Sequence, residues 1–326
     1  MPVCLIAEPI HAVGVERLQA AGFTVRLAST PQLEDIESEL ADVDTIIVRS
    51  TLTAKAMDLA PRLSFIANHG TGTDGVDVDH ANTLGIPVAV TPSTNTQSVA
   101  EHAIMLMLAT SRHLVEAHAA TQRGNAKFRF DVPFIALQGK ALGIVGYGRV
   151  GRSVAQLASA FGMNVTFWAP LEEQAQAPGI KFSTSLESLF ETSDFVTLHC
   201  PLLPETQYMI NDESLEKFKH GATLINTSRG GLVEEHALAK ALRSGRLRAA
   251  GLDVLEHEPM TTDSPLHDAV GLVLTPHSAG STQDALYATA VQCADNIISA
   301  FSDVKPTHLK NDDVWINRRR LDGASI

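Results

Sequence analysis

Three polar residues stand just past apolar stretches in the second half of the chain. Arg229 lies in Leu224-Ile-Asn-Thr-Ser-Arg-Gly-Gly, Glu258 in Leu252-Asp-Val-Leu-Glu-His-Glu-Pro, and His277 in Leu274-Thr-Pro-His-Ser-Ala-Gly. Their types suggest a division of labour. A guanidinium presents a planar fork that matches a carboxylate and can polarise a carbonyl. An imidazole titrates near neutrality, so His277 can give or take a proton. A carboxylate beside it, Glu258, would orient the ring and favour its protonated form. Any one of the three alone reads as a surface or capping residue. On consecutive strand ends after a nucleotide fold, the set reads as functional. Cys200 has no base paired with it in its motif, so a nucleophilic role is not expected.

A second motif supplies the nucleotide. Leu142-Gly-Ile-Val-Gly-Tyr-Gly-Arg-Val-Gly is an apolar strand running into Gly146-x-Gly148-x-x-Gly151, with a helical pattern over Arg149–Phe161. Gly146 would make the tight turn, Gly148 would let the backbone approach a pyrophosphate, and Gly151 would let helix and strand pack closely. The pyrophosphate would rest on the helix N-terminus, where N–H groups and the dipole favour an anion. The next strand, Asn164–Trp168, should end in an acid for the adenosine ribose, but Ala169 stands there, followed by Pro170. Glu172 and Glu173 follow closely and no Lys or Arg occurs until Lys181, so the charge logic favours NAD over NADP.

These residues need strands to present them. Short, nearly all-apolar strands alternate with helical stretches at Val3–Ala7, Phe23–Leu27, Thr45–Val48, Leu63–Ala67 and Val88–Val90, and again from Lys140 to Leu274. That pattern predicts parallel sheets covered on both faces. Ser98–Ala120 reads as one long helix whose Met/Leu run calls for burial between domains or subunits. Thr121–Gln138 reads as an irregular connection, and Lys127 and Arg129 within it as solvated loop charges. Ala285–Phe301 is a final helix, and Arg318–Arg320 read as a solvated basic tail.

The fold class is therefore α/β, with two doubly wound parallel-sheet domains. A Rossmann domain over residues 99–288 is inserted into a flavodoxin-like substrate domain formed by 1–98 and 289–326. A length of 326 residues fits two domains of about 100–200 residues each. Acidic residues outnumber basic ones 37 to 25, a formal charge of −12, which argues against nucleic acid or an anionic membrane surface as partner. Three scattered cysteines lack ligand spacing, so neither a metal site nor a disulfide framework is expected. With no apolar run long enough for a membrane span, the expected compartment is cytoplasmic.

The ordered motifs resemble those of the D-isomer-specific 2-hydroxyacid dehydrogenases over nearly the whole chain. The matching stretches are Ile47-Val-Arg-Ser-Thr, His69-Gly-Thr-Gly-Thr-Asp-Gly-Val-Asp, Thr91-Pro-Ser-Thr-Asn, the glycine turn, His199-Cys-Pro-Leu-Leu-Pro-Glu-Thr, Asn226-Thr-Ser-Arg-Gly-Gly and the Glu258 and His277 segments. The subgroup it most resembles contains the D-3-phosphoglycerate dehydrogenases and hydroxypyruvate reductases. The resemblance implies reversible, NAD-dependent oxidation of a D-2-hydroxy acid in a cleft between the domains. His277 would be the acid/base, Glu258 its partner and Arg229 the carboxylate and carbonyl ligand. It further implies that backbone N–H groups of Gly70, Thr71 and Gly72 bind the substrate carboxylate and that Asp253 holds the nicotinamide carboxamide. Arg149, Val150, Ala169, Cys200, Thr206, Thr227 and Gly280 would line the rest of the cofactor cleft. Arg49 and Ser50 either bind the far end of the substrate or cap a strand end. Phosphoglycerate, hydroxypyruvate, glyoxylate and other small anionic acids all fit, and a homodimer is expected. The same fold also resembles the C-terminal-binding-protein corepressors, so an NADH-sensing binding protein is the alternative.

Overall fold

The computed structural model describes residues 1–170 and 180–320. The chain divides into two compact units, one of Met1–Asn95 with Ser281–Ile326 and one of Thr96–Gly280. The first unit runs β1 (Val3–Ile6), α1 (Ala12–Ala20), β2 (Thr24–Leu27), α2 (Glu37–Leu40), β3 (Thr45–Val48), α3 (Ala54–Asp58), β4 (Phe65–Asn68), α4 (Val78–Thr83) and β5 (Val88–Ala89). The second runs α5 (Thr96–Ser111), α6 (Leu114–Gln122), α7 (Phe128–Asp131), β6 (Ala141–Val145), α8 (Arg149–Ala160), β7 (Asn164–Trp168), β8 (Lys181–Phe182), α9 (Leu186–Thr192), β9 (Phe195–Leu198), α10 (Asp212–Lys217), β10 (Ala222–Asn226), α11 (Glu235–Arg243), β11 (Leu247–Leu252) and β12 (Leu272–Leu274). Helix α12 (Gln283–Phe301) returns to the first unit.

The first sheet has the order β2-β1-β3-β4-β5 and is parallel throughout. Strands β3 and β4 are buried along their whole length, as expected for strands sandwiched by helices. One core lies under Leu5, Ile46, Val48 and Ile66. The other lies under Ile6, Ile47 and Phe65 with Cys293 and Ile297 of α12. Residues facing alternate sides of each strand thus feed opposite cores. The second sheet has the order β12-β11-β10-β9-β6-β7-β8, also parallel, with the order reversing between β6 and β9. Both sheets are of the doubly wound kind, in which ligands gather past the carboxyl ends of the strands where the order reverses.

Two expectations are corrected here. The helix expected over Ser98–Ala120 is broken into α5 and α6, because His113 adopts a left-handed φ of 46°. The Ser111 carbonyl at the break accepts from Ile135 N–H, and the hydroxyls of Thr110 and Ser111 turn back onto carbonyls of the preceding turn. Nor are Arg318 and Arg319 a solvated tail. Arg318 stacks 3.6 Å from the Trp315 ring centroid and pairs with Asp303. Arg319 donates to the carbonyls of Pro61 and Leu63. Asn311 is buried nearby, accepting from Val88 N–H at 2.7 Å and donating to Ile86 O at 2.9 Å, so this segment secures strand β5.

Candidate active site

In the second unit, three strand ends build the polar cluster. Asn226 closes β10, and its side chain accepts from Ser228 N–H at 3.0 Å and donates to Arg229 O at 2.8 Å, which fixes the turn carrying Arg229. Gly230 follows because nothing larger fits. A Cβ there would lie 1.9 Å from Leu255 O, so the turns after β10 and β11 touch backbone to backbone. Glu258 is tied at one oxygen to Leu255 N–H, 2.9 Å, and at the other to His277 Nδ1, 2.7 Å. Nδ1 being engaged leaves Nε2 as the ring atom for proton exchange.

The electrostatics follow from these contacts. The Glu258 hydrogen bond, opposed by desolvation, holds the His277 pKa above its ordinary value. Desolvation pushes Glu258 up, but the bonds from His277 and Leu255, with the nearby charge of Arg229, outweigh it and hold the carboxyl below its ordinary value. Both side chains remain partly open to solvent, 54% for His277 and 36% for Glu258, so a substrate can reach them.

His277 has a left-handed φ of 52°, unusual outside glycine. Asp253 is the hub that secures it. Its carboxylate is 1% exposed and accepts from Ser278 N–H at 2.9 Å, Ala279 N–H at 2.8 Å and Thr275 Oγ at 2.6 Å, while its carbonyl accepts from His277 N–H at 2.8 Å. Asp253 is also the residue expected to hold the nicotinamide carboxamide. Here both its oxygens are taken up by the loop that carries His277.

The glycine turn has the geometry a dinucleotide requires. Gly146 has a φ of +92°. Gly148 is the N-cap of α8, is exposed, and a Cβ on it would meet nothing within 4 Å. Gly151 is buried, and a Cβ on it would lie 2.2 Å from Gly146 O. Arg149 and Val150 open the helix, Arg149 exposed and Val150 partly buried. Ala169 packs against the core past the end of β7, and Glu172 and Glu173 lie outside the described residues. Thr227 Oγ is buried with no hydrogen-bond partner among the described residues, as is Nδ1 of His199, which sequence reasoning passed over. They follow the paired ends of β10 and β9, His199 lying against Gly146, and orphaned polar atoms there fit a ligand or water.

Matches to known proteins bear on this arrangement. Residues 104–279 match the family described as D-isomer specific 2-hydroxyacid dehydrogenase, NAD binding domain. The chain belongs to this family. The D-3-phosphoglycerate dehydrogenase of Methanocaldococcus jannaschii is 37% identical over 298 residues, 90% of this chain and 56% of that protein. The chain therefore spans little more than half the length of that relative. The glyoxylate reductase of Korarchaeum cryptofilum is 37% identical over 292 residues, 87% of each chain. Among solved structures, an NADPH-dependent glyoxylate/hydroxypyruvate reductase of Sinorhizobium meliloti, in complex with NADP and malonate, superposes with a TM-score of 0.86 at 30% identity, covering 98% of this chain and 99% of that one. Most of the second unit thus matches the NAD-binding domain of this family, and its glycine turn suits that cofactor class.

Cys200, Thr206 and Gly280 are the remaining residues expected to line the cofactor cleft. Cys200 is buried, its thiol 3.6 Å from Met209 Sδ and its pKa pushed up to about 11 by burial, so it is inert. The Thr206 hydroxyl accepts from Leu203 N–H and donates to Pro201 O, each at 2.8 Å, and so closes its own turn. Gly280 ends the second unit.

The first unit holds Arg49, Ser50 and the 70–72 loop at the ends of β3 and β4, which pair Val48 with Asn68. Gly75 lies against Ser50, where a Cβ would sit 1.8 Å from Ser50 O, so the two loops are in backbone contact. Asn68 donates to the carbonyls of Gly70 and Gly72. Gly70 N–H is bonded to Asn68 O at 2.9 Å, which leaves Thr71 and Gly72 as the amides of this loop to consider for a carboxylate. The residue that sequence reading missed is Glu8, just past β1. Its carboxylate accepts from Arg49 N–H at 2.9 Å, from Ser50 N–H at 3.0 Å and from the Ser50 hydroxyl. Arg49 itself donates to Pro9 O at 2.9 Å. Burial and the charge of Arg49 push the neighbouring His69 down to about 4, so it is neutral. A cavity of about 230 Å³ opens beside Ser50, lined by Pro31–Glu34, Thr51, Thr53 and Ala56.

Proposed function

We propose that this protein interconverts a small D-2-hydroxy acid and the corresponding 2-oxo acid with NAD(H). The observation that carries the reading is the 2.7 Å His277–Glu258 pair, with the imidazole raised toward its charged form and Arg229 close enough to perturb both. The nicotinamide, when bound, supplies or accepts the hydride. Gly146, Gly148 and Gly151 with the first turn of α8 would hold its pyrophosphate, and Thr227 is the hydroxyl best suited to a further contact.

Arg229 would grip the substrate carboxylate and draw electron density from the carbonyl oxygen. Protonated His277 would deliver the proton from Nε2 to that oxygen, and in the oxidative direction neutral His277 would remove it. Glu258 would keep the ring oriented and stabilise the imidazolium. Thr71, Gly72, Arg49 and Ser50 are proposed as further substrate contacts. The sequence after Ala169, with Glu172 and Glu173 and no Lys or Arg before Lys181, supports NAD as the preferred nucleotide. An exposed apolar set on the α5–α7 segment, Met105, Leu114, Val115, Phe130 and Phe134, supports a homodimer.

The test is reduction kinetics on a panel of 2-oxo acids with NADH and NADPH in parallel, repeated with His277→Ala. Turnover should favour NADH, and the variant should lose nearly all of it while binding NADH as before. Wild-type kcat in the variant, or no turnover of any 2-oxo acid by the parent, would end this reading.

A further inference from the structure

Helix α5 reaches the His277 loop at two points one turn apart. Ser98 Oγ donates to Ala279 O at 2.5 Å, and His102, four residues on and so on the same face, places Nε2 2.9 Å from Thr275 Oγ. The proton positions can be assigned. Thr275 Oγ carries a single proton, and at 2.6 Å that proton goes to Asp253. The hydroxyl therefore accepts from His102, whose Nε2 must bear hydrogen, with Asp253 Oδ1 only 3.4 Å from the same nitrogen. Desolvation lowers the His102 pKa, against the pull of Asp253, so the ring works as a neutral donor.

From this geometry we infer that His102 is a positioning residue for the acid/base His277. The chain of contact runs from His102 to Thr275, to the buried Asp253 carboxylate, and from there to the amides of Ser278 and Ala279, which directly follow the left-handed residue. A left-handed histidine persists only where its surroundings over-determine it. Here the turn is bonded to Asp253 on one side and to α5 on the other. Loss of the His102 donor would leave the Thr275 hydroxyl without the partner that aims its own proton at Asp253, and let the turn relax toward an ordinary φ. The ring of His277 would then leave its register with Glu258.

This inference rests on the assignment of His277 above, so its test has a readout independent of turnover. His102→Leu removes the donor, and His102→Gln keeps an N–H near the same place. Amide hydrogen exchange of the 276–280 segment should speed up roughly tenfold in His102→Leu and stay near wild type in His102→Gln, the scale expected for one buried hydrogen bond. The kcat for 2-oxo acid reduction should fall by a similar factor in the leucine variant alone, with KM and NADH affinity little changed. Wild-type exchange in His102→Leu overturns the inference whether or not the protein proves to be a dehydrogenase. Equal losses in both variants, with a matching fall in melting temperature, overturn it too, because they would mark a packing role.

Discussion

The three glycines of the nucleotide turn make different demands, and substitution by alanine separates them. At Gly148 the backbone has φ −74° and ψ −158°, open to any residue, and an added Cβ meets no protein atom within 4 Å. Gly148→Ala should therefore fold as well as the parent. Alanine is a poor N-cap, but it also restricts the unfolded chain, and the two effects of up to about 1 kcal/mol oppose each other. At Gly151 the added Cβ would sit 2.2 Å from Gly146 O. Ordinary contact needs about 1 Å more, and helix α8 must shift against its strand to provide it. Overpacking of that kind costs about 1–3 kcal/mol, or very roughly 2–10 °C in melting temperature for a unit of this size. NADH binding should show the reverse emphasis. On the proposed binding mode a methyl group at position 148 would occupy the space through which the pyrophosphate approaches the backbone, and affinity should fall at least about tenfold, equivalent to roughly 1.4 kcal/mol. Thermal melts and fluorescence titration with NADH on the two variants decide the matter. If Gly148→Ala binds NADH like the parent, or is destabilised as much as Gly151→Ala, the reasoning fails.

Other outcomes can be stated for the remaining residues. On the proposed mechanism reduction needs protonated His277, whose pKa is raised, so kcat/KM for a 2-oxo acid should fall as pH rises through that value. Glu258→Gln removes the main cause of the shift and should move the fall to lower pH, and an unmoved pH profile would disprove the coupling. The pair's own contribution to stability should be lost as pH rises through the raised His277 value or falls through the lowered Glu258 value. Given the exposure of both groups, it should stay below about 1 kcal/mol. Arg229→Lys keeps the charge but loses the fork, and should raise KM for the 2-oxo acid by roughly tenfold or more, while an unchanged KM would show that the carboxylate binds elsewhere. Asn311→Ala strands Val88 N–H and Ile86 O in a buried position and should cost about 2–3 kcal/mol in denaturant unfolding, with NADH affinity retained.

What could be seen in the sequence was whatever depends on local demands. Each glycine of the turn answers a requirement of its own few residues, and alternating apolar strands announce their burial whatever lies around them. Arg229, Glu258 and His277 stood out because each lies within three to six residues of a strand end. Glu8 and His102 were not, since their significance lies in partners 42 and 173 residues away. Hydropathy also continued smoothly through His113, where only the backbone reverses, so one helix was expected where two occur. The basic run Arg318–Arg320 carried no sign that Trp315 would offer Arg318 an aromatic face.

Both ends of the chain belong to one unit, with the other inserted as an unbroken stretch, and this orders events during synthesis. Thr96–Gly280 is an unbroken stretch, so all of its own strands and the loop after β12 are in hand once Gly280 has been made. The first unit is made first but has to wait. Its core needs Cys293, Ala294 and Ile297 from α12 and Trp315 beyond it, and strand β5 needs Asn311. Until those residues leave the ribosome, the faces of β1, β3 and β4 that they cover remain open, a period in which aggregation or chaperone capture competes with folding. The unit that emerges first is completed last.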